Sequence, residues 1–169
     1  MKVSLERLAT ACVMGGVLLV APAHAQMRPA AADDIIAAID ACRSAAGSGG
    51  VDETRLTGAA WQAETFGSKE RPTETPLRIY AKRGNNAVLM FTRDASGPGV
   101  CIVTARIRST ADAPLVANQI SSRFGAPIQA APQEVTWRAE RHILQLAPTG
   151  NRNAPSLRIG VAYVPEKAQ

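Results

Sequence analysis

The sequence predicts an α+β fold, with two helices packed on one face of a mostly antiparallel sheet of about six strands in the order α-β-β-β-α-β-β-β. Three observations carry this expectation. Two segments, one opening at Asp33-Asp34 and one at Asp112, repeat apolar residues at helical spacing. The segments that follow them alternate apolar and polar residues, the period of a half-buried strand. Turn formers such as Gly84-Asn85-Asn86 and Ser96-Gly97-Pro98-Gly99 separate neighbouring strands, all of which can run antiparallel.

Residues 1–25 read as an address. Lys2 and Arg7 form a positive start, Ala9 to Val20 is almost wholly apolar, and Ala23-His24-Ala25 has the small-x-small form cut by a signal peptidase. Cleavage after Ala25 leaves Gln26 first. The apolar run falls short of the roughly 20 residues a bilayer span needs, and Cys12 lies inside it, whereas a lipid-modified cysteine would follow it. The expected location is periplasmic or secreted, with no stable membrane insertion after cleavage. Residues 26–32 lack pattern and are expected to be a flexible tail, and residues 33–165 a single domain.

Asp33 or Asp34 caps the first helix, whose Ile35, Ile39, Cys42 and Ala46 share one stripe. Gly47, Gly49 and Gly50 end it. Because Gly47-Ser48-Gly49-Gly50 follows a helix, it does not have the placement of a phosphate-binding loop. Asp52 starts a short helical turn, residues 58–61 read as extended and residues 67–76 as a polar loop. The first clear strand sets Leu77, Ile79 and Ala81 on one side and Arg78, Tyr80 and Lys82 on the other; a second spans 87–92.

The third strand, 100–108, points Cys101, Val103, Ala105 and Ile107 inward and Thr104, Arg106 and Arg108 outward. Asp112 caps the second helix, Pro114 sits in its first turn, and Val116, Ile120 and Phe124 form its buried face before Gly125 and Pro127 stop it. Three more strands are expected at 135–140, 143–147 and 157–164, with 148–155 as a long hairpin loop. LRIYAK and LRIGVAY echo each other, and each half sets a Trp after its helix, Trp61 and Trp137. Short matches in an apolar alphabet arise readily by chance, so an unrepeated arrangement is preferred to an αβββ duplication.

With both helices on one face, the expected core is Leu77, Ile79, Leu89, Phe91, Cys101, Val103, Trp137, Ile159 and Val161. Loss of Cys12 with the leader leaves Cys42 and Cys101, one on the helix and one on a strand, both facing inward. A structural disulfide between them is expected. The opposite face would show Arg78, Tyr80, Lys82, Arg106, Arg108, Arg138 and Arg158, a candidate anion- or partner-binding surface.

Motifs for chemistry are missing. Cleavage also removes His24 and leaves His142 as the one histidine, which excludes metal sites needing two imidazoles. His142 is placed at a tight surface turn, with no G-x-S-x-G elbow to make it a catalytic base. The carboxylates are scattered, which leaves no convergent acid pair. A net charge of +5 is mild for nucleic-acid binding, and export argues against that partner. No catalytic residue, metal or cofactor is assigned. The expected function is a small exported domain that binds an envelope protein or anionic polymer without catalysis; the alternative is an enzyme or enzyme inhibitor with an unrecognised site.

Overall fold

The structure, a computed structural model, describes residues 27–68, 71–73, 75–93 and 96–165; the expected leader lies outside them. Helix α1 (Ala32–Ala45) carries Asp33 and Asp34 in its first turn, where carboxylates offset the positive helix end. Asp34 also accepts a hydrogen bond from the Ala31 amide at 3.3 Å. Ile35, Ala38, Ile39, Ala41, Cys42 and Ala45 are buried, the stripe that the 3.6-residue period dictates. The segment read as a flexible tail is tied down from residue 27, since the Ala30 amide donates to the Arg106 carbonyl at 2.8 Å and Asn86 reaches the Pro29 carbonyl at 3.2 Å.

The glycine-rich stretch is a folded ribbon. Strand β1 (Ala46–Gly47) pairs with β2 (Gly50–Val51) around Ser48-Gly49. It leans on Gly99, whose amide donates to the Gly47 carbonyl at 2.7 Å. A β-carbon at residue 99 would overlap the Gly50 carbonyl, so this approach needs a glycine. Asp52 caps α2 (Glu53–Gly58) by accepting from the Thr54 amide at 2.9 Å. The helix ends in a turn with Ala60 at φ 64°, where an extended segment was expected.

Strand β3 (Gln62–Glu64) follows, and the expected polar loop contains a second small ribbon, β4 (Phe66–Ser68) with β5 (Arg71–Thr73). Strands β6 (Leu77–Lys82), β7 (Asn85–Thr92) and β8 (Val100–Arg106) complete the first half. Helix α3 (Asp112–Phe124) opens the second. Asp112 lies in its first turn instead of capping it, and its carboxylate accepts from the Arg108 and Ser109 amides at 3.0 and 3.1 Å. Gly125, at φ 96°, ends the helix.

The second half then runs through β9 (Gln129–Ala131), β10 (Glu134–Ala139), β11 (His142–Asn151) and β12 (Ala154–Tyr163). Residues 148–155 do not form the expected long loop. Strands β11 and β12 stay paired to Asn151 and Ala154, where the Asn151 side chain accepts from the Asn153 and Ala154 amides and closes a tight turn.

Eight strands form one antiparallel sheet in the order β3-β6-β7-β8-β12-β11-β10-β9, so the expected six strands and two helices become eight and three. Its two halves have one plan. Each contributes four sheet strands, β3-β6-β7-β8 after α1 and α2 and β9-β10-β11-β12 after α3, and they meet where β8 pairs with β12. Helix α1 packs on β7, β8 and β12, and α3 packs on β10 and α1. Trp137 is fully buried, and its indole N–H donates to Ser121 on α3 at 3.0 Å.

Cys42 and Cys101 are bonded across this core, with Cα atoms 5.6 Å apart and a sequence separation of 59. The bond joins α1 to a central strand. Replacing both cysteines with alanine is expected to lower the unfolding free energy by roughly 4 kcal/mol, read as an earlier urea midpoint; an unchanged midpoint would mean that the crosslink adds no constraint.

Candidate functional site

All three helices lie on one side of the sheet, so the other side is where the strand alternation presents side chains outward. The register identifies them. One row across the sheet is Ile79, Met90, Ile102, Gly160 and Gln145, and the row beside it is Ala81, Val88, Thr104, Arg158 and Ala147. On the other flank, Val100, Ala162, Ile143 and Arg138 are consecutive partners. The centre of this face is apolar. Leu77 and Val100 are 38 and 50% exposed, and Ile79, Met90 and Ile102 are half-buried. Leu77, Met90, Val100 and Ile102 also line a notch of about 280 Å³.

This corrects the expected cationic face. Arg106, Arg138 and Arg158 do share it, the last two exposed, and Arg106 is half-buried with one N–H directed to the Met27 carbonyl at 3.4 Å. Arg108 lies beyond the end of β8 in the turn before α3. Arg78, Tyr80 and Lys82 are on the helix-covered side, because Arg78 stands opposite Phe91 and Tyr80 opposite Leu89, both core residues. Leu77, Ile79 and Ala81, expected inside, are outside. The remaining expected core residues, Leu89, Phe91, Cys101, Val103, Trp137, Ile159 and Val161, are buried. Glu64 and Glu134 add acidic groups at the two flanks of the outer face.

Tyr80 turns inward because a partner for its hydroxyl waits there. It is 2% exposed, stacks on Phe91 with ring centroids 5.7 Å apart, and donates to Glu53 Oε2 at 2.6 Å. Arg93 holds the same carboxylate through Nε at 2.8 Å and a second N–H at 3.2 Å. The Arg93 hydrogen bond, aided by Tyr80, lowers the Glu53 pKa despite partial burial. Burial first, then Glu53, raises the Tyr80 hydroxyl above the ordinary phenol range and keeps it a neutral donor.

His142 is a second correction, since the expected surface residue is only 9% exposed. The β10–β11 turn brings it to the end of the sheet, edge-on to Tyr163, with Nε2 3.1 Å from the Ala46 carbonyl. Among the described residues the hydrogen bond of its ring is to that backbone carbonyl, and no three His, Cys, Asp or Glu side chains gather to hold a metal. No helix among them is long and apolar enough to cross a membrane. Comparisons with protein-family models, curated proteins and solved structures found no match to the chain.

The Glu53 triad has a measurable pH signature. A carboxyl whose folded pKa lies below its ordinary value stabilises the fold fully above that value and loses the effect as pH falls through the folded one. Glu53→Gln is expected to cost about 1–2 kcal/mol at neutral pH, with the gap to the native protein narrowing as pH drops below about 4.5. Chemical denaturation across a pH series reads this. A gap that stays constant into strong acid would show that the carboxylate charge is not its source.

Proposed function

We propose that this protein is an exported, disulfide-stapled binding domain of the cell envelope that holds a partner protein on the uncovered face of its sheet. The observation that carries the reading is the join of an apolar centre, Leu77, Ile79, Met90, Val100 and Ile102, to the exposed guanidiniums of Arg138 and Arg158. An apolar middle with arginine at its margin is the composition of protein–protein contact surfaces, where charged residues are depleted at the centre and arginine is enriched. The notch of about 280 Å³ offers a seat for one apolar side chain. The partner this face fits has an apolar protrusion with carboxylates beside it.

Export is supported by the pattern of residues 1–25 and by the Cys42–Cys101 bond, which is compatible with an oxidising compartment. Mass spectrometry of protein from cells producing the full chain is expected to show a mature form starting at Gln26. A product retaining Met1 to Ala25 would overturn the export reading.

Binding is tested by affinity capture from envelope extract, with Met90→Asp/Ile102→Asp compared with the native protein and with Arg123→Glu on α3 as a control. One protein enriched by the native and control forms, lost at least tenfold with the double variant, is the expected result. The salt dependence of capture should weaken in Arg138→Glu/Arg158→Glu, because those charges would no longer attract the partner. Equal enrichment by all forms, with unfolding midpoints showing that each is folded, would remove the sheet face as the site.

A further inference from the structure

The uncovered face of the sheet is complementary to itself. Its middle row, Ile79, Met90, Ile102, Gly160, Gln145 and Thr136, crosses β6, β7, β8, β12, β11 and β10. Two residues before and two residues after its member of that row, each of these strands presents another side chain to the same face.

A two-fold axis laid along the middle row would turn this face onto a second copy. Strand order is kept and strand direction is reversed, so the outward residue on one side of the row comes over the outward residue on the other side of the same strand. On β6 Leu77 meets Ala81 of the second copy, and on β11 Ile143 meets Ala147, a long side chain over a short one each time. That is how facing sheets about 10 Å apart interdigitate. On β7 Val88 comes over Thr92, which lines the notch of about 280 Å³ and so receives an apolar side chain. On β12 Arg158 meets Ala162, whose methyl leaves room for the arginine stem to run toward the sheet end.

Charge follows the same symmetry. On β10 the exposed Arg138 and the half-buried Glu134 flank Thr136, so the rotation sets Arg138 of each copy over Glu134 of the other. Among the described residues no ion pair holds Glu134, Arg138 or Arg158 within the chain. Gly160 lies on the axis itself, and a β-carbon there would meet no atom within 4 Å. Eight strands at about 4.8 Å spacing, taken five residues deep, cover roughly 500 Å². Two copies would therefore bury roughly 1,000 Å², the lower limit for a specific interface.

We propose that two copies of this chain associate through their uncovered sheet faces, about a two-fold axis along the Ile79–Gly160 row, with Arg138 of each copy paired to Glu134 of the other. This pairing rests on the reading of the face as a binding surface and makes its partner a second copy. Because such a contact is isologous, each side-chain seat and each ion pair occurs twice.

Sedimentation equilibrium of protein purified from cells producing the full chain tests the pairing. The native protein is expected as a dimer with a dissociation constant of about 10 μM or below. Gly160→Glu sets two carboxylates against each other on the axis and should weaken the dimer roughly tenfold or more. Arg138→Glu and Glu134→Arg alone each bring like charges together and should weaken it by roughly the same factor. The double exchange Glu134→Arg/Arg138→Glu should restore association, and so should an equal mixture of the two single variants, since a two-fold contact then pairs opposite charges again. Unfolding midpoints show whether each variant is folded; were Gly160→Glu not folded, the charge variants at the sheet surface decide.

A native chain that stays monomeric, a dimer indifferent to the folded variants, or single charge variants that mixing does not restore would each overturn the pairing. A monomeric native chain that still captures a different envelope protein, with capture lost in Met90→Asp/Ile102→Asp, overturns the pairing and keeps the binding face. Dimer formation and capture both unchanged in that double variant remove the face itself.

Discussion

The bond between Cys42 and Cys101 is the constraint from which the arrangement of the sheet follows. It fixes the side of β8 that faces α1, and strand geometry propagates that choice, because side chains alternate with a period of two. With Cys101 inward, Val103 is inward; its partner Leu89 is therefore inward, and so is Tyr80 opposite Leu89. The same chain of partners places Ile102, Met90 and Ile79 outside. One covalent tie thus specifies both the covered face and the uncovered one.

This propagation explains which parts of the structure were legible in the sequence. Strands β8 and β12 alternate cleanly, and their inward residues are those the alternation assigns. The LRIYAK strand is apolar at alternate positions but carries its one large aromatic on the other parity. Its count of apolar residues favours Leu77, Ile79 and Ala81, and only the remote Glu53 makes a buried tyrosine hydroxyl affordable. The burial of His142 escapes local pattern for the same kind of reason, since its carbonyl partner is Ala46, 96 residues away. Local pattern contains no term for either contact. The missed strand β9 is three exposed residues that pair with β10, too short to show a period.

The halves repeat in topology where their sequences do not. LRIYAK is the second strand of the first meander, whereas LRIGVAY is the last strand of the second, so the apparent echo joins positions that do not correspond. Trp61 precedes β3 and Trp137 lies within β10, which are also different places. The closer correspondence is between Tyr80 and Trp137. Both are on the second strand of a meander, both are buried, and each directs one polar group to a helix, Tyr80 to Glu53 on α2 and Trp137 to Ser121 on α3. A large amphipathic ring with its polar tip satisfied fills the space between helix and sheet in each half. Different ring types meet that requirement, which is why it leaves no repeated word in the sequence.

The β1–β2 ribbon gives the apolar notch a common wall with a larger cleft of about 620 Å³ at the end of the sheet, lined also by Arg43, Asp52 and His142. Gly50 and Val51 line both cavities, so one short piece of backbone shapes both. That backbone has little room to yield. Gly99 approaches it too closely for a β-carbon and bonds the ribbon through its amide, while its carbonyl accepts from Tyr163 at the end of β12 at 2.9 Å. A displacement of the ribbon therefore has to carry Gly99 and the adjoining end of β12, or break those bonds. A shift of this wall that reshapes one cavity therefore reshapes the other, and any coupling free energy between them acts equally in both directions.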